Sequence, residues 1–168
     1  MSAVWKAVGP DSRIGPEYPQ SNDEVSLGSV TILPETARAV VESGHLAHVV
    51  TLNADGSPQV SCTWIAMDGD ELVMMHNAEH VKVRNLRRDP RVVISIESEE
   101  RSEGGIHPPF QLYLVIYGTA TVVEGAAPDL APLICANYGN EAPPSVPPGY
   151  VTRVTIDRVG GVGPWVEP

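Results

Sequence analysis

Residues 76–93, HNAEHVKVRNLRRDPRVV, join the end of one apolar stretch (Glu71 to Met75) to the start of another (Val92 to Ile96). Between the two, the spacing predicts a short basic helix. Lys82, Arg84, Arg87, Arg88 and Arg91 supply five of the chain's eleven Lys and Arg, although the formal net charge is -10. A local cluster of cations in an acidic protein has two readings. The first turn of a helix points free backbone N–H groups and the positive end of its dipole outward, so with Lys82 it forms an anion site that suits a phosphate. Alternatively, the helix presents its charges to water.

Working outward, the chain turns to strands. HLAHVVTLN (45–53) and QVSCTWIAM (59–67) flank an Asp-Gly turn and predict a hairpin. In its second strand Val60, Cys62, Trp64 and Ala66 share an apolar face, while Gln59, Ser61, Thr63 and Ile65 share a face with hydroxyls. Asp68-Gly69-Asp70 leads into ELVMMHN, which delivers His76 and Asn77 to the head of the basic helix. Pro90 ends that helix. Residues 97–109, ESEERSEGGIHPP, read as an acidic loop or lid. QLYLVIYGTATVVE (111–124) is the longest strand candidate, with Gly118 placed for a bend or bulge. A helix from about Pro128 to Tyr138, the stiff APPSVPP loop and a last strand YVTRVTIDRV complete a count of six strands and three short helices. This is mainly β, and the hairpins favour a small closed barrel.

The DGSP turn (Asp55, Gly56, Ser57, Pro58), Trp64 followed by Asp68-Gly69, and then Lys82, Asn85, Leu86, Asp89, Pro90, Arg91 and Val92 form an ordered set. That order resembles the pyridoxamine 5'-phosphate oxidase-like flavin and deazaflavin proteins over about residues 35 to 158. The closing VGGVGPW is most similar to the actinobacterial branch that uses coenzyme F420. The resemblance implies a six-stranded split β-barrel, FMN-binding-like, with a homodimer holding the cofactor between subunits. It also implies that Lys82 holds the cofactor phosphate and that Ser61 and Thr63 lie along the cofactor. Members often carry Ser or Thr and Arg before that lysine, where this chain has His80 and Val81, so His80 is expected to donate to the phosphate instead. Arg84, Arg87, Arg88 and Arg91 are candidates to guide the anionic tail of F420. The expected cofactor set is therefore Ser61, Thr63, His76, Asn77, His80, Lys82 and Arg84. Asn85 and Leu86 are expected to cap and pack the helix.

The expected activity is hydride transfer from reduced F420 to a small conjugated acceptor, with FMN as the alternative cofactor. The cofactor carries that chemistry itself, which fits the scarcity of catalytic-looking side chains. No residue is singled out as catalytic, and a proton comes from solvent or from Tyr113, Tyr117 or Tyr138. A non-catalytic flavin, deazaflavin or haem binder is the other class, with His76, His80 or His107 as axial ligand. A second basic cluster for the phosphate of pyridoxamine phosphate is not evident.

Composition limits the rest. The length and 42% hydrophobic content suit one domain over 34–168, with 1–33 an extended arm in which Trp5 and Tyr18 are anchors. A sequence pI near 4.8 argues against nucleic acid or an anionic membrane as partner. There is no run of ~18 apolar residues and no apolar signal-peptide core, so a cytoplasmic location is expected. Cys62 and Cys135 read as buried thiols. The five histidines give no convergent metal set: His45 and His48 point apart, and His76 and His80 lack a third ligand. Gly160 to Gly163 follows the last strand with no helix after it, so it is no dinucleotide fingerprint. Trp165 reads as a packing residue, against the other subunit if there is one.

Overall fold

The computed structural model describes residues 31–103 and 109–166, so most of the expected N-terminal arm and His107 lie outside the described residues. The elements are α1 (Glu35–Val41), β1 (Ala47–Leu52), β2 (Pro58–Thr63), β3 (Ala66–Asp68), β4 (Glu71–His76), α2 (Val81–Arg88), β5 (Arg91–Arg101), β6 (Gln111–Glu124), α3 (Ala127–Asn137) and β7 (Tyr150–Val162). All pairings are antiparallel, in the order β2-β1-β5-β6-β7-β4-β3. The structure has seven strands where the pattern gave six, because the second strand breaks at Trp64–Ile65 into β2 and β3. Those two halves become opposite edges of the sheet. Among the described residues no backbone pairing joins them, so the sheet curls without closing.

The break is held in place by side chains. The Tyr138 hydroxyl accepts from Ile65 N (2.9 Å) and donates to His45 O (3.0 Å), while Asn137 Nδ2 donates to Val41 O and Ile65 O. Trp64 stacks on the Tyr138 ring with centroids 4.6 Å apart. Burying those backbone groups without partners would cost on the order of 1–3 kcal/mol each, so the network explains how a strand can change edges here.

The inner face of the sheet is one core. Val49, Ile94, Ile96, Leu114, Ile116, Val154 and Ile156 are fully buried and alternate with outward residues, and α1 adds Ala37, Val40 and Val41. Trp165 joins this same core, so it packs on its own chain rather than against a partner. A smaller cluster forms where α3 lays Leu130 and Ile134 over Val73 and Val151.

Two expectations are corrected. Cys62, expected as a buried thiol, is exposed, because the face of β2 that it shares with Val60 (59% exposed) points outward, whereas Ser61 and Thr63 on the other face are half-buried. Alternation fixes which residues share a face but not which face meets the core of a curled sheet. Residues 97–101, expected in a loop, continue β5, which pairs with β6 at Glu97–Tyr113 and again, after a register shift, at Arg101–Gln111. The polar character that suggested a loop reflects an exposed strand end.

Gly118 lies at the expected irregularity, where the β6–β7 register shifts between Tyr117 and Gly118. A Cβ there would stand 2.5 Å from Val154 Cγ1 and 2.6 Å from Thr155 O. Gly118→Ala should therefore lose about 1–3 kcal/mol, read as a lower urea midpoint. An unchanged midpoint would show that the close approach is not needed.

Candidate functional site

The site starts from the turn between β4 and α2. β4 ends at His76, and the chain passes Asn77 to the N-cap His80, whose backbone oxygen accepts from Val83 N (3.0 Å) and Arg84 N (3.2 Å). His80 makes no side-chain cap; its Nε2 instead meets Asn77 Oδ1 at 2.9 Å. The buried side of α2 carries Lys82, Val83, Asn85 and Leu86. Asn85 Nδ2 donates to Thr51 Oγ1 and Asn53 Oδ1, both at 3.1 Å, which ties α2 to β1. Those bonds fix the helix rotation that turns Lys82 inward.

A cavity of about 360 Å3 opens beside this turn, lined by Thr63, Met75, His76, Asn77, His80, Lys82, Ala127, Pro143, Val146 and Pro147. Lys82 is 8% exposed, and among the described residues no carboxylate lies within ion-pair distance of it. Burial pushes its pKa down, because the charged form has given up water without gaining an anion. The Cys62 thiol acts weakly in the opposite direction. Ser61 Oγ, on the same face of β2 as Thr63, is buried with no hydrogen-bond partner among the described residues.

His76 is also buried, and its Nε2 lies 3.0 Å from Thr152 Oγ1. Burial, then the charges of Lys82 and His80, push its pKa from 6.5 down to about 3. The imidazole is therefore neutral at pH 7. The far wall is set by Gly149, at φ +49, where a Cβ would collide with His76 O; Gly125 N donates to Gly149 O (2.9 Å) and Ala127 N to Pro148 O (3.1 Å). Only a residue without a Cβ lets the proline-rich loop lie this close to the end of β4.

Of the expected set, the structure gathers Thr63, His76, Asn77, His80 and Lys82 around one cavity. Ser61 and Arg84 do not line it. Arg84 is exposed and donates to Glu79 O (2.7 Å). The other arginines are engaged elsewhere: Arg87 bridges Glu79 and Glu124, Arg88 donates to Leu52 O and Asn85, and Arg91 grips Asp89 through Nε (2.9 Å) and NH2 (2.6 Å). Of the four candidates to guide an anionic tail, Arg87, Arg88 and Arg91 are thus engaged in holding the helix and the D-P-R turn.

No expected proton donor among the tyrosines reaches the cavity: Tyr138 holds the strand break, Tyr117 lies under Arg158, and Tyr113 is exposed on the outer sheet face. The apolar wall of Met75, Ala127, Val146 and the two prolines had no signal beyond the stiffness of the 139–149 loop. Residues 98–100 line a different cavity of about 380 Å3, with Glu35 and Trp165, whose carboxylates suit no anion. Among the described residues no three His, Cys, Asp or Glu gather as a metal site.

A mostly β chain whose curled antiparallel sheet holds a buried lysine at a helix N-terminus defines a class of small-molecule-binding barrels. The family model described as pyridoxamine 5'-phosphate oxidase matches residues 33–163, and the chain belongs to that family, with its split β-barrel fold. The fold binds flavin-type cofactors, and the family includes oxidoreductases. Solved structures share the fold at low identity. An F420 reductase matches with TM-score 0.60 and 23% identity, covering 76% of this chain and 98% of that one. The conserved hypothetical protein Rv2991 from Mycobacterium tuberculosis gives TM-score 0.63 at 20% identity, covering 80% and 87%. A heme-binding protein from Mycobacterium smegmatis gives TM-score 0.55 at 23% identity, covering 75% of this chain and 52% of that one. No curated protein matches the chain.

The two buried titratable groups give two stability predictions. Lys82→Met should stabilise the cofactor-free protein by roughly 1–3 kcal/mol, since it removes an unpaired buried cation; a lower urea midpoint would contradict this. His76 has a folded pKa below its unfolded value, so its contribution to stability is complete above pH 6.5 and is lost as pH falls toward 3. The slope is at most about 1.4 kcal/mol per pH unit. His76→Gln should flatten the stability profile in that window, and parallel profiles for parent and variant would rule the assignment out.

Proposed function

We propose that this protein is an oxidoreductase that binds coenzyme F420 at the Lys82 cavity, as a homodimer, and serves hydride transfer to a small conjugated acceptor. The observation that carries the proposal is Lys82, a buried ammonium with no carboxylate partner among the described residues, beside the N-terminus of α2. A phosphate supplies the missing charge, so the residues present fit a phosphorylated cofactor. His80, on the cavity wall, is a further donor, and the unpartnered Ser61 Oγ lies on the face of β2 that also carries Thr63.

A bound deazaflavin supplies the hydride chemistry. The chain's part is to bind and to orient. Lys82 and the first-turn N–H groups of α2 hold the phosphate. Met75, Ala127, Pro143, Val146 and Pro147 offer an apolar wall to a planar ring and keep water from it. His76, held neutral and fixed by Thr152, presents an imidazole that adds no second positive charge. With no tyrosine among the described residues on the cavity, the proton comes from solvent. FMN would meet the same lysine; F420 is preferred because exposed Arg84, two residues after Lys82 in α2, has no carboxylate partner among the described residues and keeps N–H donors for a longer anionic tail beyond its bond to Glu79 O.

Haem binding is the second reading, favoured by the neutral His76 on the cavity wall. A fluorescence titration with F420, FMN and, by absorbance, hemin separates the three. F420 should bind, and Lys82→Ala should weaken it at least tenfold, about 1.4 kcal/mol. Tight hemin binding that disappears in His76→Ala, with no response to F420, would replace the proposal.

A further inference from the structure

The head of α2 offers an anion donors of two kinds, some fixed and one that depends on a proton. Val83 N and Arg84 N bond to His80 O, whereas the N–H groups of Val81 and Lys82 find no backbone acceptor among the described residues. Those two N–H groups and the Lys82 ammonium are the fixed donors. The His80 imidazole, on the wall of the same cavity, is the other kind. It is exposed, whereas His76 beside it is buried, so of these two rings His80 is the one that exchanges protons freely with water.

His80 Nε2 lies 2.9 Å from Asn77 Oδ1, a carbonyl oxygen that only accepts, so Nε2 carries a hydrogen and donates it there. The ring makes no second hydrogen bond among the described residues, and it does not cap α2. In a neutral imidazole with its hydrogen on Nε2, Nδ1 is left with a lone pair, which repels a phosphate oxygen. In the imidazolium both nitrogens donate. Asn77 thus spends the one N–H of the neutral ring, and only the charged ring keeps a donor for a ligand. The ionisable groups around it are few. His76 faces it from β4, Lys82 and Arg84 follow it on α2, and Glu79 precedes it with its carboxylate held by Arg87. β2 adds Thr63 to the wall, next to the Cys62 thiol that acts on Lys82. Across the cavity Ala127, Pro143, Val146 and Pro147 bring no charge. No carboxylate lines this cavity among the described residues, so a charge on His80 is matched there by the ligand.

We infer that His80 takes up a proton when the phosphate of the ligand binds, with Asn77 holding the ring so that Nδ1–H meets the phosphate, and that the site therefore grips its ligand more tightly as pH falls. The inference rests on the phosphorylated cofactor of the proposed function and adds how that site responds to pH. Imidazoles change charge between about pH 5 and 8, which puts the response in the physiological range. A complex that holds one proton more than its separated partners gains at most about tenfold in affinity for each pH unit lowered. Lys82 acts with the same sign, because burial holds its pKa below the usual ammonium value and its charge fades as pH rises. A change at residue 80 separates the two.

Isothermal titration calorimetry of the full chain tests this, with F420 and with the deazaflavin alcohol that lacks its phosphate and tail, and with circular dichroism to verify folding. The alcohol shares the ring, so titration of the ring cancels in the ratio of the two affinities. The phosphate of F420 is esterified on both sides and keeps one charge throughout. In the parent the preference for F420 over the alcohol should rise roughly fivefold or more from about pH 8 to about pH 6. Proton uptake should appear as a binding heat that varies with the ionisation enthalpy of the buffer. His80→Gln carries an amide N–H that donates at every pH, so it should still prefer F420 while the rise and the His80 proton are lost. A preference in the parent that does not change with pH, or a rise that survives in His80→Gln and so belongs to Lys82, overturns the linkage while the cofactor assignment stands. A parent that binds no F420 at any pH overturns both.

Discussion

A buried ammonium with no carboxylate partner among the described residues is the feature on which the site depends. Lys82 is carried inward by the same helical face that buries Val83 and Leu86, so it cannot reach water without turning α2 away from β1. Asn85, clamped to Thr51 and Asn53, resists that turn. The cofactor-free chain therefore holds an electrostatic cost that a phosphate would relieve. Such a cost at a helix N-terminus marks a binding site more firmly than a surface cluster of cations, which water satisfies.

The remaining arginines of the basic stretch make the contrast plain. Arg87 and Arg91 find carboxylates, and Arg88 finds a backbone oxygen, within their own chain. They stiffen the turn between α2 and β5 so that the lysine has a rigid mount. The opposite wall is equally constrained: Gly149 approaches the His76 carbonyl, and the β4–β7 pairing sets Thr152 against the imidazole. Preorganisation of this kind lowers the ordering cost that a ligand must meet.

Much of this was legible in the chain. The hairpin turn, the Pro90 stop, the irregularity at Gly118 and the cluster of Thr63, His76, Asn77, His80 and Lys82 all follow from local rules or from the family resemblance. What escaped were properties of the curled sheet. Period-two alternation paired Val60 with Cys62 but could not say that their face lies outward. Nor could it say that Tyr138, 73 residues from Ile65, would hold a strand break and split one strand between two edges. The fate of the arginines was hidden for the same reason, since Glu124 and Leu52 are distant in sequence and adjacent only after folding. Polar runs misled once, at residues 97–101, where an exposed strand end has a loop's composition.

The most direct test of the account is a binding cycle with two deazaflavins, F420 and the deazaflavin alcohol that lacks its phosphate and tail, each titrated against the parent protein and Lys82→Ala. If Lys82 acts on the phosphate, the parent should prefer F420 at least tenfold, about 1.4 kcal/mol, and that preference should vanish in the variant while affinity for the alcohol is unchanged. Equal weakening of both ligands, or a preference that survives the loss of Lys82, would contradict the claim that the buried ammonium is the phosphate anchor.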